Sequence, residues 1–484
     1  MNTVIPHWLT KQAETAPHQI AVELANHVKL TFQELKEESQ RYARKLTAWG
    51  VKRGSHVAIL SINKLEMVVA IHALSYLDVT IVLLNSRLTK DELTYQLKDA
   101  EVSFLLYAQE FSQLATQLFV EKNAAFKEVE DYQQADIELV TELELDKPFT
   151  MMYTSGTTGF PKGVIHTYGN HWWSAIGSAL NLGLRPEDKW LAALPLFHVS
   201  GLSILIRSVI YGMPVYLLEK FNKIAVHQAI MKEGVTMVSV VTVMLQQLLD
   251  ELGEENYPTS LRCMLLGGGP APKPLLERAK TKGVPVFQSF GMTETASQIV
   301  TLSAEDALEK IGSAGKALFP AQVKINEPDK DKVGEIYVKG PMVTKGYYNN
   351  SEATKKAIQN GWLATGDLGY LDEDGYLYVV DRRNDLIISG GENIYPSEVE
   401  SALLRYPGII EAGVTGKEDK KWGEVPVAFI ITDSHYDGSE LMNFLSNHLA
   451  SYKLPKQVFE VQELPRNAAN KLVRYELKKK LCKK

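Results

Sequence analysis

Cysteine is almost absent from this 484-residue chain: Cys263 lies in an apolar run and Cys482 in a lysine-rich tail. That excludes a disulfide framework or a thiolate metal cluster. Positive charge is not in excess either, since 52 Lys and Arg against 58 Asp and Glu leave a net charge of -6. The bases are spread along the chain, so no electrostatic footprint for nucleic acid is expected. Long clean apolar runs are missing as well. Met67 to Leu84 is interrupted by His72 and Asp78, and Leu191 to Leu218 by Pro195, His198, Arg207 and Pro214. These are core segments rather than membrane spans. The opening "MNTVIPHWLTKQAETAPHQIAVEL" has no basic segment followed by an unbroken apolar stretch, so no signal peptide is read there. A cytoplasmic protein without membrane insertion is the expectation.

What is present is alternation. "HVAIL" (56–60), "TIVLL" (80–84), "TMVSVV" (236–241) and "RCMLLGG" (262–268) read as short buried strands. Between such runs, "ELTYQLKDA" and "TVMLQQLLDEL" have apolar residues at helical spacing. An α/β fold follows, with parallel-type sheets covered by helices. After about residue 312 the pattern turns strand-rich in "VGEIYVKG" and "DGYLYVVD", predicting an antiparallel subdomain. A charged run, "DRRNDLIISGG", marks a boundary. The expected division is a large N-terminal domain over 1–383 and a small α+β C-terminal domain over 384–484, with a helix starting at Pro396 and burying Val399, Ala402, Leu403 and Tyr406.

The stretch "TSGTTGFPKG", Thr154 to Gly163, packs three glycines and four hydroxyls into ten residues. Backbone N–H groups and small donors can wrap an anion there. It is not a Walker A loop, because Pro161 and Gly163 occupy the positions that would need Gly and Ser or Thr.

Six motifs in one order then carry a resemblance: "YTSGTTGFPKG", "LPLFHVSGL", "QSFGMTET", "ATGD", "DRRNDLIISGGENIYPSEVE" and "LPRNAANKLVR". Together they resemble the acyl-adenylate-forming superfamily of acyl-CoA synthetases, adenylation domains and luciferases. Within it, "LLGGGPAP" and "QSFGMTETASQIVTL" are most similar to the 2-succinylbenzoate–CoA ligases of menaquinone biosynthesis. The resemblance implies ATP, Mg2+ and CoA as co-reactants, a small-molecule carboxylic acid as substrate, a mobile C-terminal domain and frequent homo-oligomers. CoA ligases for another aromatic or fatty acid, adenylation modules loading a carrier protein, and silent nucleotide binders remain alternatives.

It also implies roles. Thr154, Ser155, Gly156, Thr157, Thr158 and Lys162 would hold the β- and γ-phosphates, with Thr154 and Glu294 approaching Mg2+ and Thr293 the α-phosphate. Adenine would lie near Gly267, Gly268 and Gly269 and against Phe290, and Gln288, Ser289, Gly291 and Met292 would also belong to the cofactor-binding site. Asp367 and Arg382 would take the ribose. Lys471 would stabilise the adenylation transition state. Asn384 would be the hinge, and Ser389, Gly390 and Gly391 would line the pantetheine tunnel. His198 replaces the Asp of amino-acid-activating relatives and would gate the acyl pocket. If a helix begins near Ser200, then Ser200, Ser203, Ile204 and Arg207 share one side. An arginine there reaches solvent, pairs with a protein carboxylate, or holds the second carboxylate of a dicarboxylic acid.

Overall fold

The computed structural model describes residues 3–155, 161–268, 271–328, 332–382, 386–433, 436–466 and 472–481, with Ser155, Val380, Asp381, Arg382, Ser397 and Tyr475 described by backbone alone. Gly156, Thr157, Thr158, Gly269, Asn384 and Lys471 therefore lie outside the described residues.

Two large sheets form the body of the molecule. A seven-stranded sheet has the parallel strands His56–Leu60, Thr80–Leu84 and Phe104–Tyr107 at its centre. Every residue of Thr80–Leu84 is buried, as expected for a strand covered on both faces. Alongside it runs Pro148–Ser155, which pairs antiparallel with Pro161–Thr167 so that Thr154 faces Lys162 and Ser155 faces Pro161. The strands on either side of the Gly/Thr stretch thus pair with one another, and the first of them lies against the buried strand Thr80–Leu84.

The second sheet has fourteen strands, and its parallel half includes Trp190–Ala192, Met237–Val241, Cys263–Gly267 and Val286–Met292. Antiparallel pairing starts earlier than the sequence pattern indicated. Val286–Met292 already pairs antiparallel with Ser297–Leu302, and the strands beyond residue 312 continue the same sheet. The reason is local: "FGMTETASQIV" reverses direction through the short 3-10 turn Thr293–Thr295 and Ala296 at φ 56°.

A five-stranded sheet built from residues 387–460 forms its own core, with Ile387, Ile394, Val399, Leu403, Val414, Ile430, Leu441 and Leu445 buried together. Pro396 does open a helix, Pro396–Leu403, where its missing N–H costs nothing. Helix starts elsewhere are set by capping boxes, in which a threonine side chain and a residue three positions on exchange hydrogen bonds with each other's N–H. Thr89 with Glu92 begins Lys90–Asp99 in this way.

Candidate active site

A cavity of about 240 Å³ opens at the carboxyl ends of strands from both large sheets, touching Leu83, Thr154, Val241 and Gly267. Crevices of this kind are where open α/β sheets bind ligands. One wall is the helix Val199–Tyr211. It begins at His198, and Gly201 lets its first turn close on the preceding loop, since a Cβ there would lie 2.2 Å from the Pro195 carbonyl oxygen. Asn63, buried beneath that loop, holds it by donating to the carbonyls of Leu194 (2.9 Å) and Leu218 (3.1 Å) and accepting from the N–H of Leu196 (2.9 Å).

Thr154, His198, Ser200, Arg207, Gly267, Gly268, Ser289, Gly291, Met292, Thr293 and Gly391 all face this cavity. Residues from four of the six motifs, separated by up to 237 positions, meet there. Glu294 sits just behind Thr293, 5 % exposed, and its position is fixed from several directions. Its carbonyl accepts from the N–H of Thr344 (2.8 Å), and its Oε1 accepts from the Tyr347 hydroxyl (2.9 Å). Lys162 lies over the Tyr347 ring at 5.3 Å, which places hairpin and acidic turn side by side. His166, buried and with its pKa pushed down to about 4 by burial, makes a 2.6 Å hydrogen bond to the Thr293 carbonyl.

Two residues expected at the nucleotide site do not line this cavity. Phe290 is 3 % exposed and packs with Ile299, Val300, Ile336 and Val338 rather than presenting a ring face to the cavity. Gln288 is likewise buried and does not line it. Both follow from strand alternation: Ser289 and Gly291 point one way, so Gln288 and Phe290 point the other. Asp367 and Arg382 are brought opposite one another on paired strands, and Asp367 does not line the cavity.

Arg207 settles the alternatives left open by its sequence. It is 1 % exposed, so it does not reach solvent, and no carboxylate lies within ion-pair distance among the described residues. Its Nη2 donates to Ser297 Oγ (3.0 Å) and Gln298 Oε1 (3.2 Å), and its guanidinium lies 5.2 Å from the Trp190 ring centroid. The buried Nε has no acceptor among the described residues. Gln298 is held in that orientation because its amide nitrogen donates to Ser178 Oγ (3.3 Å). Burial lowers the pKa of Arg207, and hydroxyls and an amide only partly offset that cost. The cavity wall thus holds a buried cation with no carboxylate partner among the described residues. Ser203 and Ser200 extend that wall toward His198, while Ile204 turns into the core.

The remaining wall comes from the C-terminal sheet. Gly391 (φ 89°) reaches the cavity beside Val241; a Cβ there would lie 3.1 Å from Val241 Cγ1. Next to it, Glu392 is buried and meets three groups of the body: Arg87 (2.5 Å), His198 (3.2 Å) and Asn85 (3.5 Å). Burial would raise the Glu392 pKa, but His198, Arg87 and Lys453 together hold it down to about 2. His198 is therefore tied to the C-terminal sheet through Glu392. Sequence reasoning missed Glu392, Arg87, Asn63 and Tyr347. Glu392 follows directly on the Gly-Gly pair and was within reach; the others touch the site only through the tertiary fold.

These strands, hairpin and docked sheet define a class: the chain belongs to the AMP-binding enzyme family, whose model matches residues 9–348, with the AMP-binding enzyme C-terminal domain matching 398–471. Among individual proteins it is 57 % identical to the 2-succinylbenzoate–CoA ligase of Oceanobacillus iheyensis, over 99 % of this chain and 100 % of that one. The o-succinylbenzoate CoA synthetase of Bacillus subtilis, as a double mutant bound with its product analogue OSB-NCoA, superposes with a TM-score of 0.95 at 50 % identity, covering 99 % of both chains. The Bacillus subtilis enzyme in complex with ATP and magnesium ion superposes at only 0.76, with 49 % identity and coverage of 98 % of this chain and 100 % of that one. At nearly equal identity the two superpose to different degrees.

Proposed function

We propose that the protein is an ATP-dependent, AMP-forming ligase that joins 2-succinylbenzoate to CoA, a step of menaquinone biosynthesis. The acid's carboxylate oxygen attacks the α-phosphorus of ATP and pyrophosphate leaves; the CoA sulfur then attacks the acyl carbon of the acyl-AMP and AMP leaves. The observation that carries the choice of acid is Arg207. Once the aliphatic carboxylate is joined to AMP, the aromatic one still needs a cation, and Arg207 offers a desolvated guanidinium in the cavity wall with its Nε unfilled.

In this reading the hairpin residues Thr154, Ser155, Gly156, Thr157, Thr158 and Lys162 hold the phosphates, Lys471 stabilises charge during adenylation, and Asp367 and Arg382 hold the ribose. Thr154 and Glu294 supply hard oxygen donors of the kind Mg2+ takes, and Mg2+ when bound neutralises phosphate charge. Residues 384–484 act as the mobile domain, pivoting at Asn384, and Ser389, Gly390 and Gly391 line the path of the thiol. A cytoplasmic location and a homo-oligomeric state complete the reading. No helix among the described residues is long and apolar enough to cross a membrane.

Pyrophosphate release measured over a panel of carboxylic acids, with and without CoA, tests this directly. The expected result is release with 2-succinylbenzoate and turnover to the thioester only when CoA is added. Preference for a long-chain or plain aromatic monocarboxylate, or turnover with a carrier-protein thiol in place of CoA, overturns it.

A further inference from the structure

We infer that Glu92 and Lys453 are positioning residues for the thioester-forming half-reaction: their ion pair latches the C-terminal sheet over the acyl cavity, so that Gly391 sits at its wall. Lys453 Nζ lies 2.6 Å from Glu92 Oε1 in the body and 2.7 Å from Glu398 Oε1 in its own unit. All three side chains are less than a tenth exposed. This is not a chance surface contact, because both halves are set before they meet. Glu92 Oε2 is already engaged by the N–H (2.7 Å) and hydroxyl (2.8 Å) of Thr89 in the capping box, which leaves Oε1 aimed outward. Lys453 is already held by Glu398, on the helix that Pro396 opens. Exposed ion pairs contribute little chiefly because two long side chains must be ordered. Here that ordering is done by each unit separately.

The same geometry makes the latch releasable. When the units part, Lys453 keeps Glu398 and Glu92 keeps Thr89, so no charge is stranded without a partner. A flanking pair, His448 with Asp91 at 3.8 Å, lies on the same seam. Glu92 does not line the cavity, so its effect reaches the reaction only through the position of the C-terminal sheet. The proposal rests on the reading that the thiol is delivered past Gly391 in this docked arrangement.

The test separates the half-reactions. Acyl-AMP formation is followed as pyrophosphate release in a single turnover without CoA, and thioester formation by mixing supplied acyl-AMP with CoA. Glu92→Gln keeps an acceptor for the cap but removes the charge that Lys453 meets; Lys453→Met removes the cation. Each should slow thioester formation about ten-fold while leaving acyl-AMP formation within about two-fold. Lys453→Arg should restore most of the rate, and the double variant should be no slower than the slower single one. Equal loss in both half-reactions makes the pair a scaffold element and overturns the proposal, as does unchanged thioester formation in Glu92→Gln. Gly391→Leu distinguishes the two readings. If it spares thioester formation while Glu92→Gln slows it, the thiol path is misassigned and the latch stands. If it blocks thioester formation and Glu92→Gln does nothing, the thiol path stands and the latch falls.

Discussion

Arg207 and Lys453 are both cations with less than a tenth of the residue exposed, yet their surroundings are opposite. Arg207 has two serine or glutamine oxygens, an indole face and no carboxylate; Lys453 has two carboxylates, one from each side of a seam. A buried charge left partly unmatched is poised for a ligand, whereas one matched across a seam joins two pieces of protein. The two pKa values move in opposite net directions: burial lowers that of Arg207, whereas burial also opposes the charge of Lys453 but the nearby Tyr452, Glu398 and Glu92 outweigh it and raise the pKa. One cation is therefore left partly unmatched in the cavity wall, and the other is matched across a seam.

The comparison breaks most visibly if the two half-reactions are uncoupled by variants on either side of it. Lys471→Ala should lower acyl-AMP formation by about 10²- to 10³-fold or more while sparing conversion of supplied acyl-AMP with CoA. Loss of both steps to the same degree removes Lys471 from its role. Gly391→Leu should do the reverse, by about a hundred-fold, because a side chain at φ 89° and 3.1 Å from Val241 prevents close docking. Pyrophosphate release without CoA should stay near the wild-type rate.

Arg207→Ala addresses the cavity alone. Losing a charge-assisted contact should cost about 1.5–3 kcal/mol, or roughly ten- to a hundred-fold in kcat/KM for 2-succinylbenzoate. KM for ATP and CoA should barely change, and a monocarboxylate analogue should lose much less. Equal loss for both acids would make Arg207 a core residue bound to Ser297 and Gln298 and nothing more.

The remaining effect is one of pH, and it distinguishes the body from the C-terminal sheet. Burial pushes the pKa of His7 down to about 3 and of His72 and His166 to about 4, and lowers that of His171 as well. Folded-state values below the unfolded 6.5 mean that the unfolded chain binds protons first. The stability of these neutral imidazoles is complete above pH 6.5 and is lost as pH falls toward 4, by about 1.4 kcal/mol per pH unit for each one. Calorimetry from pH 7 to 5 should show the transition of the body moving down. A flat Tm over that range would mean these imidazoles stay solvated or titrate normally.

Much of this was legible in advance because it is local. Strands such as His56–Leu60 and Thr80–Leu84, the helix at Pro396 and the hairpin beneath "TSGTTG" follow from apolar period, proline position and glycine density over a few residues. The serine and arginine stripe of Val199–Tyr211 is visible at helical spacing, though its destination is not. Phe290 shows the limit: its motif is readable, but the direction of its ring depends on the pairing of its strand with Ser297–Leu302.

By its sequence alone the chain specified the motifs, their order and the elements that carry them, since spacing and side-chain chemistry act between near neighbours. Only the tertiary structure decided that Arg207 has no carboxylate, that Glu392 meets Arg87 and His198, and that a capping glutamate at 92 would find a lysine 361 positions away. Burial and partner choice depend on which surfaces come together, and long-range contacts are not encoded in any single stretch of sequence.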